Sequence, residues 1–110
     1  MRESHTIVLE RNAAWSGDVC TEPCETGWAR EAAFFVRFLG GTGVRAQAEL
    51  RVQVSPDGMH WCDEGTCLTL EPGTDLAWCR LREFGSWLRL VGRLAAGEAA
   101  QVMVYLQLKE

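Results

Sequence analysis

Long apolar runs are missing from this chain, and so is any sustained helical period. No segment approaches the length needed to cross a bilayer as a helix, so no membrane partner is expected. The first ten residues, MRESHTIVLE, lack both the apolar stretch and the small-residue cleavage site of a signal peptide. The expectation is a cytoplasmic or intracellular assembly with no signal peptide. A basic surplus is missing too. Eleven Lys and Arg face fifteen Asp and Glu, for a net charge of −4, and the cations are scattered. This excludes the positive field that nucleic acid requires. Histidine is scarce, with only His5 and His60. There is no glycine-rich phosphate loop, nucleophile elbow or zinc-hydrolase signature. No enzyme, no cofactor and no catalytic residue is expected.

What the chain does have is alternation. In VRAQAELRVQVS, Val44, Ala46, Ala48, Leu50, Val52 and Val54 fall on one face, with Arg45, Glu49 and Arg51 on the other. Period two marks a strand with one buried side. In AQVMVYLQLKE, Val102, Val104, Leu106 and Leu108 oppose Met103, Tyr105 and Lys109. Ser86–Leu94 sets Leu88, Leu90 and Leu94 against Trp87, Arg89 and Arg93. AAFFVRFL, HTIVLER, TCLTL and LAWCRLRE supply further strands. Gly40-Gly41, Pro56-Asp57-Gly58, Pro72-Gly73 and Gly97 break the pattern. About seven or eight half-buried strands in 110 residues need two sheets that cover each other. The predicted fold is all-β: a single antiparallel β-sandwich, jelly-roll-like, over 1–110. Residues 12–30, NAAWSGDVCTEPCETGWAR, alternate poorly and read as an irregular ordered loop.

Between the strands lies QVSPDGMHWCDEG. Pro56 cannot continue a ladder, Asp57 accepts local N–H bonds and Gly58 tolerates positive φ, so a hairpin turn is expected. Trp61 should then pin the next strand to the core. His60 and Cys62 stand two apart, a spacing at which a thiolate pair is conceivable, but no orienting third group accompanies them. Asp57, Asp63 and Glu64 do not match a calcium-loop spacing.

Ser55-Pro56-Asp57-Gly58-x-x-Trp61, preceded by Leu50-Val52-Val54, resembles a strand–turn–strand element of discoidin-like and galactose-binding-like β-sandwiches. Trp87-Leu88-Arg89-Leu90 resembles a later strand of the same domains. The resemblance implies a β-sandwich. It carries over no ligand residues, because the ligand loops do not match.

Five cysteines, at 20, 24, 62, 67 and 79, are expected as reduced thiols. Cys20-x₃-Cys24 and Cys62-x₄-Cys67 lack the two-residue gaps of zinc knuckles, so no metal is expected. Five tryptophans exceed what so small a core can hide. The surplus points to an interface or a sugar platform. The leading expectation is a non-catalytic, self-assembling subunit of a homomeric shell, fibre or phage-like particle. Its interface would be Trp15, Trp28, Trp87, Arg89 and Arg93. The alternative is a carbohydrate-binding module with Trp15 and Trp28 stacking on a glycan and Glu22 and Glu25 bonding its hydroxyls.

Overall fold

The computed structural model describes residues 3–40 and 42–110; of the expected Gly40-Gly41 turn, Gly41 lies outside the described residues. Among the described residues, nine strands follow in chain order: β1 Ser4–Trp15, β2 Asp18–Cys20, β3 Cys24–Glu25, β4 Glu31–Phe38, β5 Ala48–Ser55, β6 Cys62–Leu70, β7 Leu76–Arg82, β8 Trp87–Arg93 and β9 Ala100–Lys109. One sheet has the order β1-β9-β4-β7. The other runs β2-β8-β5-β6, with β3 also on β8, and all pairings are antiparallel. Counting β2 and β3 as one interrupted strand leaves eight. Their order, 1-8-3-6 over 2-7-4-5, is that of a jelly roll.

The core is where the alternating positions meet. Phe34, Val36, Leu50, Val52, Leu88, Leu90, Val102, Val104, Leu106 and Leu108 are all fully buried. Side chains from the two inner faces fill the space between the sheets, as the period-two pattern requires.

Three segments depart from the simple pattern, each for a local reason. Residues 12–30 hold regular structure. β1 continues to Trp15, and β2 and β3 both pair with β8. The alternation is hidden because β1 carries two register shifts, between Val8 and Glu10 and between Glu10 and Ala13, with Asn12 at φ 54. Each extra residue switches which parity points inward. The second shift turns Trp15 into the core opposite Ala100, where it is 6% exposed. Pro23 then interrupts the next strand because it has no N–H to give. Buried threonines flank the gap: the Leu90 N–H donates to Thr21 Oγ1 at 3.0 Å, and Thr26 Oγ1 donates to the Gly85 carbonyl at 3.2 Å.

β5 starts at Ala48, four residues after the alternation begins. Here the chain crosses from one sheet to the other. The Arg45 N–H donates to Glu98 Oε2 at 2.7 Å instead of to a ladder, and Glu98 is only 8% exposed. β6 is bulged around Gly65, at φ 112, between the Arg51–Cys67 and Gln53–Asp63 pairs.

Candidate functional site

The outward face of the four-stranded sheet is built from the leftover half of the alternation. On β7, Ala77, Cys79 and Leu81 point in, so Leu76, Trp78, Arg80 and Arg82 point out. On β4 the outward set is Glu31, Ala33, Phe35 and Arg37. On β9 it includes Met103, Tyr105, Gln107 and Lys109.

Register aligns these into rows. Val8 faces Tyr105, Tyr105 faces Phe35, and Phe35 faces Trp78, giving an apolar row across all four strands. Below it, Met103, Arg37 and Leu76 form the next row. Above it stand Thr6, Gln107, Ala33 and Arg80, and beyond them Ser4, Lys109, Glu31 and Arg82.

The Phe35 and Trp78 rings stack with centroids 5.9 Å apart and planes 10° from parallel. Trp78 remains 53% exposed and Leu76 47%. Arg37 donates to the Tyr105 hydroxyl at 3.1 Å. A depression of about 180 Å³ opens above Ala33, between the ring row and the charged row.

The outward face of the other sheet has the same residue types, but there the tryptophan and arginine of β8 are partly covered. The Arg89 guanidinium lies 4.2 Å from the Trp61 ring centre, and its Nε donates to Gln53 Oε1 at 2.9 Å. Gln53 donates on to Asp63 at 3.1 Å, and Arg51 Nε lies 3.4 Å from the same carboxylate. These contacts, the Gln53 amide first, hold the Asp63 carboxyl below its ordinary range. Trp61 therefore roofs the sheet beneath a guanidinium instead of entering the core. The hairpin turn ends before it, and β6 begins only at Cys62. Trp87 is half-buried against the turn: a Cβ at Gly58 would sit 3.3 Å from its ring.

That turn is knit internally. Ser55 Oγ accepts the Asp57 and Gly58 N–H groups, and Asp57 Oδ1 accepts those of Met59 and His60, both at 2.8 Å. His60 Nδ1 lies 2.6 Å from Asp57 Oδ2. The His60 N–H first, then that of Met59, keeps the Asp57 carboxyl far below the usual carboxylate range. The imidazole is thus engaged with Asp57, while Cys62 Sγ points to the Val54 carbonyl at 3.7 Å. They do not form a nucleophile–base pair.

The residues picked out in the sequence are scattered. Trp15 is sealed in the core and offers no face to a partner or sugar. Trp87 and Arg89 do share a face with Arg93, but the first is tucked under the turn and the second lies on Trp61. Arg93 stays exposed, 3.8 Å from Asp18. Trp28 is 41% exposed and meets His5 edge-on at 5.3 Å, beside an open hollow with Arg30, Glu83 and Glu110. Glu22 and Glu25 lie at the edge by β3, where the Glu22 N–H donates to Glu10 at 3.0 Å.

The four cysteines weighed as a zinc set face four different partners. Cys20 is opposite Val91, Cys24 opposite Leu88, Cys62 opposite Val54 and Cys67 opposite Arg51. Burial pushes the Cys79 thiol up to about 12. The residues that sequence reasoning passed over are Phe35, Leu76, Trp78, Met103 and Tyr105. Their signal was present as Trp78-Cys79-Arg80, the same Trp-x-Arg outward pattern as Trp87-Leu88-Arg89.

No protein-family model matches the chain, and no curated protein matches it. Among solved structures, the crystal structure of the SPBc2 prophage-derived protein YomS is similar over 100% of this chain and 96% of that one. The TM-score is 0.62 at 10% sequence identity. The likeness is one of fold: this chain is an all-β sandwich of the same architecture as a prophage-derived protein.

Proposed function

We propose that the chain is a non-catalytic structural subunit that associates with copies of itself, in a homomeric shell, fibre or phage-like particle. The observation that carries this is the apolar row Val8–Tyr105–Phe35–Trp78, continued by Met103 and Leu76, on the uncovered face of the four-stranded sheet. The fold shared with a prophage-derived protein supports it.

A second copy suits this face. A two-fold axis along the strands, between β4 and β9, sets β7 over the other copy's β1 and β4 over its β9. Phe35 then meets Tyr105, Trp78 meets Val8, and Glu31 meets Lys109 in both directions. Such an isologous contact satisfies itself, with sheets packed at aligned angles.

Its size sets its strength. Four strands at about 4.8 Å by seven residues at about 3.4 Å give roughly 450 Å² per copy. That is below the ~800 Å² per partner of a stable pair, so one contact is weak and assembly draws on many. The face carries Arg37, Arg80, Arg82 and Lys109 against Glu31, a formal four minus one, or +3. Opposed copies repel, and salt screens that repulsion.

Sedimentation velocity from about 10 µM to about 1 mM tests this. The expected result is concentration-dependent association that strengthens with salt and disappears in Trp78→Ser/Leu76→Ser with the fold intact. A wild-type chain that stays monomeric throughout that range, at high as at low salt, removes the proposal.

A further inference from the structure

We infer that the depression above Ala33 is a binding subsite for an acidic monosaccharide, a sugar ring bearing one carboxylate. This does not depend on self-association. It rests on the cavity and on the donors around it.

The floor is small because Ala33 sits between Gln107 and Arg80 in its row, where a longer side chain would fill the space. One wall is the stacked Phe35–Trp78 pair, and Trp78, half exposed, offers aromatic surface for the C–H face of a pyranose. The depression's volume of about 180 Å³ has room for one sugar ring.

The polar rim has two parts. Glu31 can accept from hydroxyls, Gln107 can both accept and donate, and Arg82 is already 3.4 Å from Glu31. Arg80 and Lys109 are the uncommitted cations: among the described residues, no hydrogen bond or ion pair engages either side chain. Arg80 is placed by the wall itself, with its guanidinium 5.9 Å from the Trp78 ring centre. A ring on the aromatic wall would therefore bring an attached carboxylate within reach of a planar, bidentate donor. A neutral sugar would leave both cations unused. A carboxylate without a ring would forgo the stacking.

The chain carries −4 overall while this face carries +3, so the site attracts an anion that the rest of the surface repels. Trp78 belongs both to this wall and to the proposed contact between copies, so an acidic sugar and a second copy compete for it.

Amide and indole NMR shifts of the full chain, held at a dilute, monomeric concentration, decide the matter. The probes are N-acetylneuraminate, glucuronate and galacturonate, with glucose, galactose and acetate as controls. The expected result is saturable shifts at Ala33, Gln107 and the Trp78 indole with at least one acidic sugar. Binding should weaken about tenfold or more in Trp78→Ala and in Arg80→Ala, and with the neutral sugars. Both positions are exposed, so these variants should fold; unchanged dispersion elsewhere in the spectrum checks it. The inference is overturned by no saturable shift with any acidic sugar. An equal response to acetate, which marks ion pairing alone, overturns it as well, as do shifts centred away from Ala33. Failure here leaves self-association standing, because that is read by sedimentation without any sugar.

Discussion

The two outward faces of the sandwich begin from the same chemistry. Each takes a tryptophan and an arginine two residues later from one strand: Trp78 and Arg80 on β7, Trp87 and Arg89 on β8. On the five-stranded sheet, Trp87 is tucked against Gly58 of the turn, and Arg89 lies over Trp61 and bonds Gln53. On the four-stranded sheet, among the described residues, no turn residue stacks on the rings. Trp78 lies at the outer strand, stacked on Phe35 with Arg80 5.9 Å from its ring centre, and half its surface meets water. An aromatic residue on a strand is thus a roof or an interface according to what the neighbouring loops bring to it. The sequence-derived interface fell largely on the roofed face.

Substitutions test the difference between the faces. Phe34 lies beneath both faces and is fully buried, so Phe34→Ala should cost about 3–5 kcal/mol in denaturant unfolding. It sets the scale of a core loss, against which surface changes are read. A cost below about 1 kcal/mol would mean that the two sheets do not share one core.

Gly58→Ala acts only on the roofed face. It forces an L side chain to φ +82 and presses a methyl toward the Trp87 ring. The expected cost is about 1–2 kcal/mol, with tryptophan emission shifted to the red as Trp87 is displaced. Unchanged emission and stability would show that the turn does not hold the indole.

A smaller effect is expected at Asp57, which the turn's N–H groups hold in its ionised form. Its folded carboxyl titrates below the ordinary 3.8, so it contributes stability above that pH and loses it as the pH falls further. Asp57→Asn should therefore melt below wild type at pH 7, and the gap should narrow under acid conditions, near or below pH 3. A gap independent of pH would deny the carboxylate that role. Smallest in stability is Trp78→Ser on the bare face, expected within about 0.5 kcal/mol of wild type. Its effect belongs to association, and a large stability loss there would mean that the face is covered after all.

Much of the fold was legible because burial alone sets the period. Val102 to Leu108, Leu50 to Val54 and Leu88 to Leu90 point inward as read. The turn at Pro56-Asp57-Gly58 follows from residues that can cap their own backbone. Trp15 was misread because two bulges break the alternation of β1 between Val8 and Ala13, so the end of the strand reads as loop, and no local residue announces either extra position. Trp61 was assigned to the core because a hairpin strand beginning at Met59 would point it inward, whereas the turn holds the chain until Cys62.

Paired antiparallel sheets, and much of which residues alternate outward, are written in the order of the residues, since side-chain period and turn chemistry act over a few neighbouring positions. Which outward tryptophan is covered and which is bare is set by the folded arrangement. That depends on Arg89 meeting Trp61 and on Gly58 meeting Trp87, contacts between residues far apart along the chain that exist only once the strands have taken their places.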